Sequence, residues 1–203
     1  MIIQQIRNGI DNFSYLIYCE KTGKAALVDP GTNASECMKE IGKANLELVC
    51  IINTHHHGDH IAENSRVKDM YGCELIASKL EAKNIPDVDK TVDDDEVMIL
   101  GQIELKFIIT PGHTLGGMCI VVDNLAILTG DTLFIGDCGR TDIGGGSNRQ
   151  MFDTLQRLKS LPDELIVYPG HDYGSKPFDS LGNQKRVNKT LLAKSLDEFS
   201  RIL

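Results

Sequence analysis

No apolar run in this chain exceeds five residues, the stretch Met118 to Val122 being one of that length. A helix that crosses a bilayer needs about 18 such residues, so a membrane-spanning helix is excluded on pattern. Met1 to Asn8 lacks the apolar core that an export signal requires, and the expectation is a cytoplasmic protein with no membrane partner. Basic excess is also missing: 21 Lys and Arg stand against 29 Asp and Glu, a formal charge of −8. That balance argues against a nucleic-acid partner. The six cysteines, at 19, 37, 50, 73, 119 and 138, form no CxxC pair. With neither zinc-ribbon spacing nor an export signal, they read as buried thiols rather than staples. Glycine (19) and proline (6) stand at ordinary levels, which removes collagen-like and low-complexity classes. No repeat or linker interrupts the chain, so residues 1–203 read as a single domain, with 177–203 a short helical extension.

The apolar pattern predicts strands at Ile2–Ile6, Phe13–Cys19 and Ala25–Asp29, separated by Asn-Gly and Lys-Thr-Gly turns. A helix follows over Ser35–Asn45, with Cys37, Met38, Ile41 and Ala44 on one stripe. The unbroken run Leu48–Asn53 suits a strand covered on both faces. Next come a helix over Ile61–Tyr71, a strand at Glu74–Ala77 and a short helix near Lys79–Asn84. Strands are expected at Glu96–Leu100, Ile103–Thr110, Met118–Val122 and Leu125–Leu128. Gln150–Leu158 reads as a helix, Leu165–Tyr168 as a strand, and the tail from Gly182 as helical. Two groups of short strands, each followed by helices, favour packed sheets with helices outside over one parallel sheet.

Histidine is where the composition is uneven: four of the six fall between positions 55 and 60. Thr54-His55-His56-His57-Gly58-Asp59-His60 begins where the buried strand ends. In extended backbone His55 and His57 point the same way, and His56 points away. Gly58 permits a sharp turn that brings Asp59 and His60 to a second position. So many polar rings in so short a span are hard to satisfy without a shared cation. Three later segments repeat the order strand, glycine, candidate ligand: Pro111-Gly112-His113, Thr129-Gly130-Asp131 and Pro169-Gly170-His171. No cysteine joins the set, which argues against a soft-metal structural site.

Together the strings THHHGDH, PGHT, TGDTLF and YPGHDY resemble the metallo-β-lactamase superfamily, in order and spacing, from Ile2 to about Asp172. The resemblance implies an α+β fold, a four-layered αββα sandwich with its site at one end of the two sheets. It also implies that His55, His57 and His113 hold one metal and that Asp59, His60 and His171 hold a second, with Asp131 bridging. Asp59 and Asp131 are then the catalytic carboxylates. Such a pair of zinc ions, or a zinc, iron and manganese mixture, keeps open positions for water and brings its pKa near neutral.

Two branches match best. A glyoxalase II-like enzyme would be a hydroxyacylglutathione hydrolase, cleaving a thioester by attack of metal-activated hydroxide on the carbonyl. A persulfide dioxygenase would instead use one Fe(II) on His55, His113 and Asp131 to oxidise glutathione persulfide with O₂. Cys138-Gly139-Arg140-Thr141-Asp142 and the Asn188–Ile202 tail fit the second branch, and Gly144-Gly145-Gly146-Ser147 fits short hydrolases. Hydrolysis is the leading expectation. A non-catalytic metal-binding scaffold would be favoured by a missing ligand, and all seven are present. The partner is then a small thiol-derived substrate, and a homodimer stays open. Arg140, Tyr173 and Lys185 are the substrate-binding candidates, Arg140 having a structural alternative in pairing with Asp142. Asp29 and Asp172 are candidates for orienting imidazoles through their outer nitrogens.

Overall fold

The computed structural model describes residues 1–203. Its first sheet runs in chain order: β1 (Ile2–Asn8), β2 (Asn12–Tyr18), β3 (Lys24–Val28), β4 (Glu47–Asn53), β5 (Glu74–Ser78) and β6 (Lys90–Val92). The β1–β2 and β2–β3 pairs are antiparallel, and the other pairs are parallel. The second sheet contains β7 (Val97–Leu100), β8 (Ile103–Ile109), β9 (Met118–Val122), β10 (Ala126–Gly130), β11 (Ile166–Pro169) and β12 (Asp179–Ser180). They lie in reverse order from β12 to β7, with only β10 and β11 parallel.

Strand alternation explains the layers, because successive side chains leave opposite faces of a sheet. Phe13, Tyr15 and Ile17 of β2 meet Leu105 and Phe107 of β8 and Ile120 and Val122 of β9 in a core between the sheets. The intervening residues face outward. Leu16 of β2 joins Cys37 and Ile41 of helix α1 (Ser35–Lys43) in a second core. Cys119 and Val121 of β9 join Met151, Leu155 and Leu158 of helix α4 (Asn148–Lys159) in a third. The three short tail helices α5 (Leu181–Val187), α6 (Lys189–Leu192) and α7 (Leu196–Ile202) complete it with Leu181, Leu191 and Phe199. The result is a helix–sheet–sheet–helix sandwich, and β9 and β10 are buried throughout because both their faces are covered.

Several elements depart from expectation. The helix expected over Ile61–Tyr71 is split into a single turn, α2 (Gly58–Ile61), and α3 (Asn64–Tyr71). The segment around Lys79–Asn84 forms only a 3-10 turn at Ala82–Asn84. The first helix stops at Lys43 because Asn45 adopts a positive φ of 49°. β6 and β12, three and two residues long, are too short to leave a periodic signal.

β3 and β4 run parallel, as do β10 and β11, and β8 is antiparallel to β9, which is antiparallel to β10. The residues following β3, β4, β8, β10 and β11 therefore emerge at one end of the sandwich. Ligands collect at such carboxyl ends.

Candidate metal centre

The loop after β4 builds most of the site. His55 leaves the strand into a buried position, His57 is extended with ψ of 143°, and α2 then turns the chain so that Asp59 and His60 follow on its first turn. The expected sharp glycine turn is not what does this. Gly58 is the first helical residue, has no positive φ, and faces open space. His113 follows β8, Asp131 follows β10 and His171 follows β11, and all three are buried.

These seven side chains converge. Potential ligand atoms of His55, His57 and His113 lie within 4.8 Å of one another, as do those of Asp59, His60 and His171 and of His55, His60 and Asp131. Asp131 lies between the triads: Oδ1 is 3.3 Å from His60 Nε2, and Oδ2 is 3.3 Å from His171 Nε2 and 3.5 Å from His113 Nε2.

The outer nitrogens determine what the inner ones offer. Thr54 Oγ1 donates to Asp29 Oδ2 at 2.6 Å and so accepts from His55 Nδ1 at 3.1 Å. His60 Nδ1 donates to the same Asp29 oxygen at 3.0 Å, and His113 Nδ1 donates to the Arg140 carbonyl at 2.8 Å. Each of these bonds holds a proton on Nδ1, so that in the neutral ring the Nε2 lone pair faces the cluster. Asn12 Nδ2 donates to Asp59 Oδ2 at 2.8 Å, aiming that carboxylate.

This donor set fits divalent metal. Buried His55 Nε2 and Asp131 Oδ1 have no hydrogen-bond partner, a costly arrangement unless a cation meets them. His60 Nε2 faces His171 Nε2 at 3.2 Å, and His57 Nδ1 faces His113 Nε2 at 3.0 Å. The space at the cluster is kept open by Gly170, where an added methyl would overlap Asp131 Oδ1 and sit 3.0 Å from His60 Cε1.

Electrostatics divides the imidazoles. Burial, with repulsion from neighbouring rings, drives the pKa of His55 well below the usual histidine value, and His57 is lowered for the same reasons. Burial also opposes charge on His60, but Asp131 and Asp29 outweigh it and raise its pKa; Asp131 likewise raises that of His171 against burial. The Asp131 carboxyl is held well below the usual range, because His60 and His171 overcome its desolvation.

His56 turns away from the cluster, and its Nδ1 bonds the buried carboxylate of Glu81. Tyr173 lies beside the site, its ring stacked on His171 at 4.7 Å between centroids and 8° between planes. Partial burial and the charges of Asp11 and Asp131 push its phenol up to about 12, so at neutral pH it carries its proton. The Arg140 side chain forks onto Asp142 at 2.7 and 2.8 Å, in the exposed structural pairing. Lys185 is not brought to the cluster. Its ammonium bonds the Leu161 carbonyl and Asp163, before β11, whereas His171 follows that strand. Asp172 pairs with Arg7 rather than an imidazole, while Asp29 does meet one.

The sequence pattern overlooked Asp11 and Asn12 on the β1–β2 hairpin, where Asp11 Oδ1 comes 3.4 Å from His171 Nδ1. Their one signal was an Asp-Asn pair opening a strand, which also reads as ordinary turn chemistry.

A family model of the metallo-beta-lactamase superfamily matches residues 7–171. The hydroxyacylglutathione hydrolase of Rhodospirillum rubrum is 38% identical over 196 residues, covering 96% of this chain and 75% of that protein. That of Pelagibacter ubique is 36% identical over 201 residues, covering 98% and 83%. Among solved structures, ETHE1 from Myxococcus xanthus superposes with a TM-score of 0.92 at 31% identity, covering all of this chain and 89% of that one. The fold alone is shared with TTHA1623 in a di-iron-bound form, at a TM-score of 0.78 and 23% identity over 93% of this chain and 98% of that one. The chain belongs to the metallo-beta-lactamase superfamily and is one of its enzymes.

Proposed function

We propose that this chain is a metal-dependent hydrolase that cleaves the thioester of an acyl-glutathione or a similar small thiol-derived substrate. The observation that carries the reading is the pair of facing triads joined by Asp131, with buried His55 Nε2 and Asp131 Oδ1 unpartnered and the outer nitrogens of His55, His60 and His113 occupied. His55, His57 and His113 would hold one ion, and Asp59, His60 and His171 the other, with Asp131 shared. When bound, two divalent ions of zinc, or of zinc with iron or manganese, supply Lewis acidity and acidify a water to near neutrality. Relatives named hydroxyacylglutathione hydrolase over nearly the whole chain support the thioester as the substrate class.

The protein's own groups keep the site in register. Asp29 acts on one histidine of each triad, through His60 directly and through Thr54 to His55. Asn12 orients Asp59, and the Phe134 and His171 rings meet edge to face. Tyr173 offers a protonated phenol next to His171, suited to donating a hydrogen bond to bound substrate.

A second reading, oxidation of glutathione persulfide with O₂ by a single Fe(II) on His55, His113 and Asp131, is supported by the likeness to ETHE1 over the whole chain, and the tail whose pattern resembles that branch is tied to the loop after Asp131. Buried Asn188 donates from Nδ2 to the carbonyls of Phe134 and Asp137 while its Oδ1 caps α6. The tail motif and the loop after Asp131 are thereby built as one unit.

The two readings separate on protein isolated without added metal. Metal content, cleavage of lactoylglutathione and oxygen uptake with glutathione persulfide are measured side by side. The expected result is two ions per chain and thioester cleavage. Iron-dependent oxygen uptake without thioester cleavage overturns the reading in favour of the second, and a protein that takes up no metal overturns both.

A further inference from the structure

Glu81 is an acid with only 1% of its surface exposed, outside the seven-residue cluster, and a carboxylate so placed needs its oxygens satisfied. Its partners are specific. Oε2 accepts the backbone N–H of His56 at 3.0 Å and bonds His56 Nδ1 as well. Oε1 accepts the backbone N–H of Gly116 at 2.8 Å. His56 lies between His55 and His57 in the chain, and Gly116 lies three residues beyond His113. One side chain thus ties the loop after β4 to the loop after β8, and each anchoring point sits beside ligands of the same triad.

The surroundings hold Glu81 in place. It follows β5, where buried Ser78 Oγ donates to the Gly116 carbonyl and accepts from the Glu81 N–H. Gly116 packs so closely that an added Cβ would lie 3.0 Å from both the Glu81 nitrogen and Ser78 Oγ. The Asp59–His60–His171 triad is supported by other groups, Asn12 and Asp29.

We propose that Glu81 is a positioning residue for one half of the metal centre, setting the spacing between the His55–His57 pair and His113 without touching the ion or the substrate. The inference rests on the metal-dependent reading above. Residues that orient ligands from outside typically account for roughly 10- to 100-fold in metal affinity. The effect falls on the His55–His57–His113 ion and leaves the other unchanged. The His56 side chain supplies only one of the three bonds, so His56→Ala, which keeps both backbone donors, has the smaller effect.

The test is metal affinity, read by calorimetric titration of zinc into metal-free protein for wild type, Glu81→Ala, Glu81→Gln and His56→Ala. Unfolding of each metal-free variant is followed in parallel. Glu81→Gln keeps the side-chain volume and one acceptor oxygen, and it serves if Glu81→Ala does not fold. His57→Ala, which lacks a ligand of the braced triad, identifies which ion is affected. The expected result is one ion weakened about 10- to 100-fold in Glu81→Ala, less in Glu81→Gln, and no effect of Glu81→Gln on the ion that His57→Ala retains. Equal weakening of both ions, wild-type affinity at both in Glu81→Gln, or a loss in His56→Ala matching that in Glu81→Ala would overturn the proposal. A wild type that binds no zinc refutes the metal-dependent reading itself, and is told apart from these by the first titration.

Discussion

Replacing Asp29 with asparagine changes one oxygen to an amide nitrogen, and under the two-ion reading proposed above it disturbs both ions at once. Asp29 has a positive φ of 50°, a conformation asparagine tolerates well, so the backbone has no reason to move. Oδ1 accepts the Thr54 N–H at 2.8 Å. That donor cannot reverse, so the asparagine oxygen must stay there and its amide nitrogen must take the place of Oδ2. In the native protein Oδ2 accepts from Thr54 Oγ1 and His60 Nδ1. An amide in that place donates to both, which reverses the relay. The Thr54 hydroxyl must then donate to His55 Nδ1, and His60 Nδ1 must accept. Both rings shift their proton to Nε2, facing the cluster, where it blocks ligation. Losing a hydrogen bond to a charged group costs about 1.5–3 kcal/mol, which corresponds to a roughly 10- to 150-fold loss of affinity at each ion. Competition against a chromophoric chelator measures the two dissociation constants, and thermal unfolding of the metal-free variant checks the fold. Wild-type affinity at both ions in folded Asp29→Asn would refute the tautomer argument. Loss at only one ion would refute the relay through Thr54.

Metal binding is also expected to release protons unequally. His60 and His171 have pKa values raised above 6.5 in the metal-free fold, so their charged form stabilises it fully below 6.5 and that stabilisation fades as pH rises through the raised values. Ligation requires both rings neutral, so zinc binding should tighten as pH rises through the raised values and release protons at the Asp59–His60–His171 site. His55 and His57, already held neutral, should contribute few. Calorimetry in two buffers of different ionisation enthalpy measures the count, and equal release from both sites would contradict this assignment. Gly170→Ala should fold but lose metal, because its methyl enters the space against Asp131 Oδ1. Full metal loading of that variant, by elemental analysis, would show that ions sit elsewhere.

Much of the sandwich was legible because its strands obey the period of two: Phe13, Tyr15 and Ile17 share one face in the pattern and in the core. The positions of His113, Asp131 and His171 were legible too, each just past an apolar run that had to be a buried strand. What failed was local reading where local signals are weak. Gly58 suggested a turn and begins a helix instead. Lys185, plausible as a cation for an acidic substrate, is drawn to Asp163, a partner no spacing rule connects to it.

Which residue types stand at strand ends and which faces are apolar can be read along the chain, because those are properties of neighbouring residues. Which loops meet depends on how the strands pair and the sheets pack. Parallel and antiparallel pairing brings Asp29, His55, His113, Asp131 and His171 to one end of the sandwich, and Glu81 to the seam between two of those loops. The proton positions on His55, His60 and His113 follow from hydrogen bonds to residues as far as 31 positions away, and so belong to the fold and not to any motif.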